Sequence, residues 1–299
     1  TAAARRWASV GRGSAAGLRA AAPPGSESPD APRVLLDLPD RLVIHKPPGW
    51  EVDADGAEEC EEDSEAWLLS RYFQALAPLR RLPIAYDVGH GHGFVHRLDV
   101  ICSGLILAAK TYEAYYNLKL QLNSGELARD YLIVCHGWIP LKRDEIDARI
   151  YWKKGGRSSS VVSPQGKPAR TRLKVLGHAH LRRRAFSLVD VQIDTGRQHQ
   201  IRAHTAHLGH PTACDGRYTS RATVNSDRAW CPRNALHRYH LAFRDGARGW
   251  RDVLAPLPPE LTAALRQLAA RDALSAKELC RWLRGVGGLV PASVATDRP

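Results

Sequence analysis

The sequence predicts an α+β fold. Short apolar runs with strand-like alternation occur in both halves of the 299-residue chain, helical stretches separate them at irregular intervals, and no βαβ or other repeat runs through them.

From the N-terminus, residues 1–32 are rich in Ala, Arg, Gly and Ser, with no acid before Glu27. Such a start is expected of a mitochondrial or plastid targeting segment; the alternatives are a disordered linker and a cytoplasmic protein. The chain opens on Thr1 and contains no methionine, so a fragment of something longer is expected. Folded sequence should begin at Arg33. Residues 41–44 read as a strand entering the turn Lys46-Pro47-Pro48-Gly49, and Ser64 as the N-cap of a helix reaching Leu76. Residues 89–93 form a Gly/His loop, and 94–96 and 105–108 read as short buried strands. A helix over 111–123 is stopped by Ser124-Gly125. Residues 129–134 and 184–193 alternate as strands, with a basic, turn-like stretch over 151–174 between them. A helix over 197–208 ends at Gly209, before Pro211. A late strand follows over 236–243, then helices over 259–271 and from a Ser275 cap. One domain over 33–256 and a helical appendage over 257–299 are expected.

Composition narrows the function. The formal charge is +12, from 43 basic and 31 acidic residues. A chain this basic commonly meets a polyanion, because neutralising phosphates releases condensed counterions. No run of eighteen apolar residues is present, so no membrane span or membrane partner is expected. Six scattered cysteines without a C-x-x-C pair read as free thiols rather than a zinc ribbon or disulfide framework.

Three segments set charge or a polar ring within apolar surroundings. In Phe94-Val95-His96-Arg97-Leu98-Asp99, followed by Ser103-Gly104, an arginine and a carboxylate occupy a turn between buried runs. They must be paired or lie in a cleft, since burying lone charges is costly; the plain alternative is a surface ion pair. In Gly196-Arg197-Gln198-His199-Gln200-Ile201-Arg202-Ala203-His204, two arginines gather near a helix N-terminus, which is already positive and receptive to anions. The plain alternative there is an ordinary basic helix face. In Arg129-Asp130-Tyr131 a tyrosine opens an apolar strand, which by itself reads as core packing.

Taken in order, these segments resemble the RluA-type pseudouridine synthase family. The opening run Leu42-Val43-Ile44-His45-Lys46-Pro47-Pro48-Gly49, the segment Gly209-His210-Pro211 with Asp215 and Tyr218, and the late Leu236-His237 extend the resemblance over residues 40–256. Cys102 stands where the family commonly has threonine, and Ala128-Arg129-Asp130 replaces a more lysine-rich lead-in. The resemblance implies a central, mixed but mostly antiparallel sheet with flanking helices and an RNA-binding cleft. It implies isomerisation of uridine to pseudouridine in ribosomal or transfer RNA, with Asp99 as catalytic carboxylate, either nucleophile or base. It gives Arg202 the task of pairing with Asp99, and Tyr131 that of stacking on the target uracil. Arg97 would fill the space left by the extruded base. His96, Arg197, His199, Ile201 and Lys46 are expected to contact RNA, with further phosphate contacts from Lys153, Lys154, Arg157 and residues 182–184. The reaction needs no cofactor, and a monomer is expected.

Two rivals remain. His199, His204, His207 and His210 cluster, but no H-E-x-x-H or comparable spacing accompanies them, so no metal is expected. A non-catalytic RNA-binding relative is the other; it would have been free to lose Asp99, Tyr131 or Arg202, and all three are present.

Overall fold

A computed structural model describes residues 31–52, 67–76, 82–152, 159–246 and 249–285. In chain order it builds β1 (Arg33–Asp37), β2 (Arg41–Lys46), β3 (Trp50–Glu51), β4 (Trp67–Leu68) and α1 (Leu69–Leu76). Two 3-10 turns, Pro83–Tyr86 and Val88–Gly93, lead to β5 (Ser103–Ala109), α2 (Tyr112–Ser124) and β6 (Ala128–His136). Then come β7 (Glu145–Asp147), β8 (Ile150–Tyr151), β9 (Val161–Val162), β10 (Arg170–Leu181), β11 (Arg184–Ile193), α3 (Gln200–His207) and α4 (Arg221–Arg228). The chain closes through β12 (Leu236–Arg244), β13 (Trp250–Leu254), α5 (Pro259–Arg266), β14 (Ala269–Ala270) and α6 (Ala273–Leu283).

The main sheet runs β1-β2-β5-β12-β6-β11-β10-β14, with β13 beside β12 and β7 beside β10. Among the described residues its one parallel pairing joins β5 to β12 at His237 and Arg238. The sheet is therefore mixed and mostly antiparallel, and the class is α+β as expected. That parallel contact explains a glycine. Gly104 has φ +132°, and a Cβ there would lie 2.6 Å from Arg238 N, so only glycine lets the two strands approach.

Period-two alternation on β6 divides the core. Tyr131, Ile133 and Cys135 face one cluster with Val189, Val191, Ile201 and Leu236. Leu132 and Val134 face another, built with Leu261, Leu265, Leu279 and Trp282 from the last two helices. The C-terminal segment packs on the core: its apolar helix faces complete the second cluster, and β14 pairs with β10. The expected boundary at residue 256 falls inside one hydrophobic cluster.

Local signals placed most elements well. Thr111 caps α2 by accepting from Ala114 N, and Gly125 ends it in the left-handed region, φ 78°. The first helix is shorter than expected, because residues 67–68 pair with β3 instead; Ser64 lies outside the described residues. The last helix is capped by Asp272 rather than Ser275, and the Ser275 hydroxyl instead accepts from His178 N in β10. Helix α4 escaped the sequence reading, since Val224 is its one buried apolar anchor. Among the described residues no helix is long and apolar enough to cross a membrane.

Candidate functional site

The loop between Phe94 and β5 delivers Asp99 to a cleft of about 450 Å³. Phe94 bridges to Ala108, and Cys102 N donates to Asp99 O at 3.0 Å, so the loop is pinned at both ends. From the other wall, α3 supplies Arg202. Its helix starts at Gln200 rather than Arg197, because His199 adopts a left-handed backbone, φ 52°. Gln200 organises the preceding turn: its Oε1 accepts from Arg197 N and Thr195 Oγ1, and its Nε2 donates to Arg170 O and Thr171 Oγ1.

Arg202 is 2% exposed and holds two carboxylates. Its Nη1 donates to Asp99 Oδ2 at 3.0 Å. Its Nε and Nη2 donate to Asp215 Oδ2 and Oδ1, each at 2.8 Å. Asp215 is fully buried, whereas the Asp99 side chain is 16% exposed and reaches the cleft. Burial opposes charge on Arg202, but the fork to Asp215 outweighs it and holds the guanidinium well above its ordinary pKa. Tyr218 stacks beneath that guanidinium, 5.2 Å from ring centre, and its hydroxyl bonds Ser160 O and His199 Nδ1.

A second buried arginine, Arg238, was not singled out from sequence. It is 1% exposed and reaches the site from β12. Its Nη2 donates to the Tyr131 hydroxyl and to Arg97 O, its Nη1 donates to Leu105 O and His96 Nδ1, and its guanidinium lies 4.8 Å from the Tyr131 ring centre. Because His96 Nδ1 accepts from Arg238, its proton sits on Nε2, which has no hydrogen-bond partner among the described residues. Burial and Arg238 together push the His96 pKa well below its ordinary value. Arg129 also enters the cleft lining, with its Nη2 on Ile193 O and Asp194 O; burial lowers its pKa to about 10.

The cleft brings together eight of the nine residues expected from sequence: Asp99, Tyr131, Arg202, His96, Arg97, Arg197, His199 and Ile201. Lys46 is the exception and a correction. It is fully buried, and its Nζ donates to Pro47 O, Trp50 O and Val100 O, so it locks the Lys-Pro-Pro-Gly turn instead of facing phosphate. Arg184 is likewise engaged by Asp227. Lys153, Lys154 and Arg157 lie outside the described residues. Six basic residues (Arg97, Lys119, Arg129, Arg197, Arg202, Arg238) against two acidic ones (Asp99, Asp194) line the cleft. Such a wall attracts an anionic chain. Two of the clustered histidines serve the fold: His204 bonds Thr171 Oγ1 and Ala148 O, and His210 bonds His136 O. Among the described residues no three His, Cys, Asp or Glu converge as a metal site.

Residues 40–207, which carry Asp99, Tyr131 and Arg202, match the RNA pseudouridylate synthase family. The chain belongs to that family. An uncharacterized RNA pseudouridine synthase of Bacillus subtilis (strain 168), YlyB, is 37% identical over 177 residues, 59% of this chain and 55% of the relative. Ribosomal large subunit pseudouridine synthase D of Nitrosomonas europaea is 31% identical over 243 residues, 79% of this chain and 62% of the relative. The chain thus spans under two thirds of the length of these curated relatives. Among solved structures, human RNA Pseudouridylate Synthase Domain Containing 1 superposes with a TM-score of 0.60 at 25% identity, covering 86% of this chain and 96% of that one. Membership accounts for the order of the site segments along the chain; Asp215 and Arg238 lie beyond the matched stretch.

Proposed function

We propose that this chain isomerises uridine to pseudouridine in RNA, with Asp99 as the carboxylate acting at the junction of ribose and base. One observation carries the reading: Asp99 reaches a basic cleft while Arg202, itself clamped by buried Asp215, holds it in place. In the reaction the N1–C1′ bond breaks, the uracil turns, a C5–C1′ bond forms, the C5 proton leaves and N1 gains a proton. No redox change occurs. Asp99 acts either on C1′ as nucleophile or on the ribose as base. The uridine must leave its stack to meet it, which is least costly in loops. Tyr131, held by Arg238, supplies a ring for the extruded uracil, and exposed Arg97 occupies the space it vacates. The Nε2–H of His96, which meets no acceptor among the described residues, is a donor for the base or its phosphate.

Ribosomal RNA is the pool to try first, because several curated relatives carry the name ribosomal large subunit pseudouridine synthase D. The basic, acid-poor residues 1–32 support a mitochondrial or plastid pool, and one chain supplies every cleft residue named here. Tritium release from transcripts carrying 5-tritiated uridine tests the reading. Release by wild type and none by Asp99→Ala is expected. RNA binding without release from ribosomal and transfer RNA pools would replace the reading with a non-catalytic RNA-binding role.

A further inference from the structure

One face of α2 runs from the cleft out to the surface. Lys119 and Asn123 line the cleft near its C-terminal end. Further back on the helix, Tyr116 and Tyr112 stand 62% and 39% exposed. At about 100° per residue, Tyr112, Tyr116, Lys119 and Asn123 fall within about 60° of one another, on a stripe about 16 Å long. The opposite face is spent on the core, through Ala114 and Leu118.

The exposed rings are held in place. His90, from the turn before Phe94, packs edge-on against Tyr112, Tyr115 and Tyr116, with ring centres 4.9, 5.2 and 5.6 Å away. Tyr112 donates to Asp87 Oδ2 at 3.0 Å, His90 Nδ1 lies 2.9 Å from the same oxygen, and His90 Nε2 lies 2.8 Å from the Tyr116 hydroxyl. Rings ordered beforehand lose little rotamer freedom when something stacks on them.

We propose that this aromatic stripe is a stacking platform for single-stranded or looped RNA flanking the target uridine. The proposal rests on the reading of the cleft above. Two observations choose RNA over a protein partner. The stripe continues into the cleft on the same helix face, through Lys119 and Asn123. The strand it would receive is anionic, and the chain carries a formal charge of +12. Bases stack on aromatic rings whatever their sequence, because every base presents a π-face. At roughly 3.4 Å per stacked nucleotide, the stripe has room for about four.

The test pairs a binding readout with an activity readout. Tyr112→Ser/Tyr116→Ser, both exposed and so compatible with folding, is compared with Tyr116→Trp and with Leu274→Ala, an exposed apolar change on the last helix. The binding probe is a fluorescein-labelled single-stranded RNA of mixed sequence. The Tyr-to-Ser double variant should bind it roughly tenfold more weakly, while Tyr116→Trp and Leu274→Ala bind as wild type does. On transcripts that retain the flanks of the modified uridine, the double variant should raise KM by a similar factor with kcat nearly intact. That difference should shrink on transcripts trimmed of their flanks. Equal binding and equal KM for double variant and wild type would overturn the platform even if tritium release proves the isomerase. Weakened binding by the double variant, in a wild type that releases no tritium, would support the platform while the activity reading fails.

Discussion

Two carboxylates share the Arg202 guanidinium, and neutralising each is expected to do different damage. Each Asp215 oxygen takes two donors: Oδ2 accepts from Arg202 Nε and Thr212 Oγ1, and Oδ1 from Arg202 Nη2 and Arg217 N. In Asp215→Asn the amide NH2 therefore faces two donors whichever way it turns. Breaking a buried pair in this way costs about 3–5 kcal/mol. Asp99 is partly exposed and makes one 3.0 Å bond to Arg202, which would keep its Asp215 fork, so Asp99→Asn should cost about 1 kcal/mol or less. Activity should divide the opposite way. On the proposed assignment Asp99→Asn removes the reacting group and should abolish turnover with RNA affinity little changed. Asp215→Asn keeps that group and lets Arg202 shift toward it; a displacement near 1 Å costs roughly 100-fold. Urea unfolding with linear extrapolation reads the first quantity and tritium release the second. An Asp215→Asn protein with wild-type midpoint and wild-type rate would refute the clamp. Wild-type turnover by Asp99→Asn would refute the carboxylate assignment.

Other expectations follow from the same geometry. Gly104→Ala should lower the thermal midpoint by several degrees or prevent folding, because a Cβ 2.6 Å from Arg238 N must push β5 off β12; an unchanged midpoint would show that the strands can part. Arg238→Met should slow turnover with a smaller effect on KM, since it releases Tyr131 and His96, and Arg238→Lys should recover part of the loss; equal rates for all three proteins would remove Arg238 from the positioning of Tyr131. Burial lowers the pKa of His45 to about 4 and also lowers those of His96, His204 and His237, so the unfolded chain takes up their protons first. Stability should therefore fall as pH drops from about 6.5 toward 4. Asp190 opposes this trend: burial and Asp130 raise it to about 7, so it favours the folded state as pH falls below 7. Asp190→Asn should gain stability over wild type at pH 8 and lose that advantage by pH 5, as read from urea midpoints at both pH values; a constant difference would contradict the raised pKa.

Strand alternation at residues 129–134 and 184–193, the stop at Ser124-Gly125 and the Lys46-Pro47-Pro48-Gly49 turn were legible because each depends on neighbours a few residues apart. Ser275 misled for a related reason. A serine is a good cap in isolation, but the Ser275 hydroxyl is used by His178 N, 97 residues away, while Asp272 takes the cap. Lys46 misled similarly. A lysine in a turn looks solvated until three backbone carbonyls converge on its ammonium from residues 47, 50 and 100. Nothing local in the segment after residue 256 says that its apolar helix faces answer Leu132 and Val134 on β6.

By itself, then, the sequence determined the fold class, the basic character of the molecular surface, and the set of segments that carry Asp99, Tyr131 and Arg202. Periodicity, turn chemistry and motif order are local or additive properties, and a linear reading recovers them. Only the tertiary structure decided how the charges are shared. Arg202 meets Asp99 across 103 residues, and Arg238 meets Tyr131 across 107 and His96 across 142. A buried guanidinium is tolerable only with partners, and the partners are chosen by which strands adjoin. The parallel crossing at Gly104, which sets β12 beside β5, is what places Arg238 in the cleft.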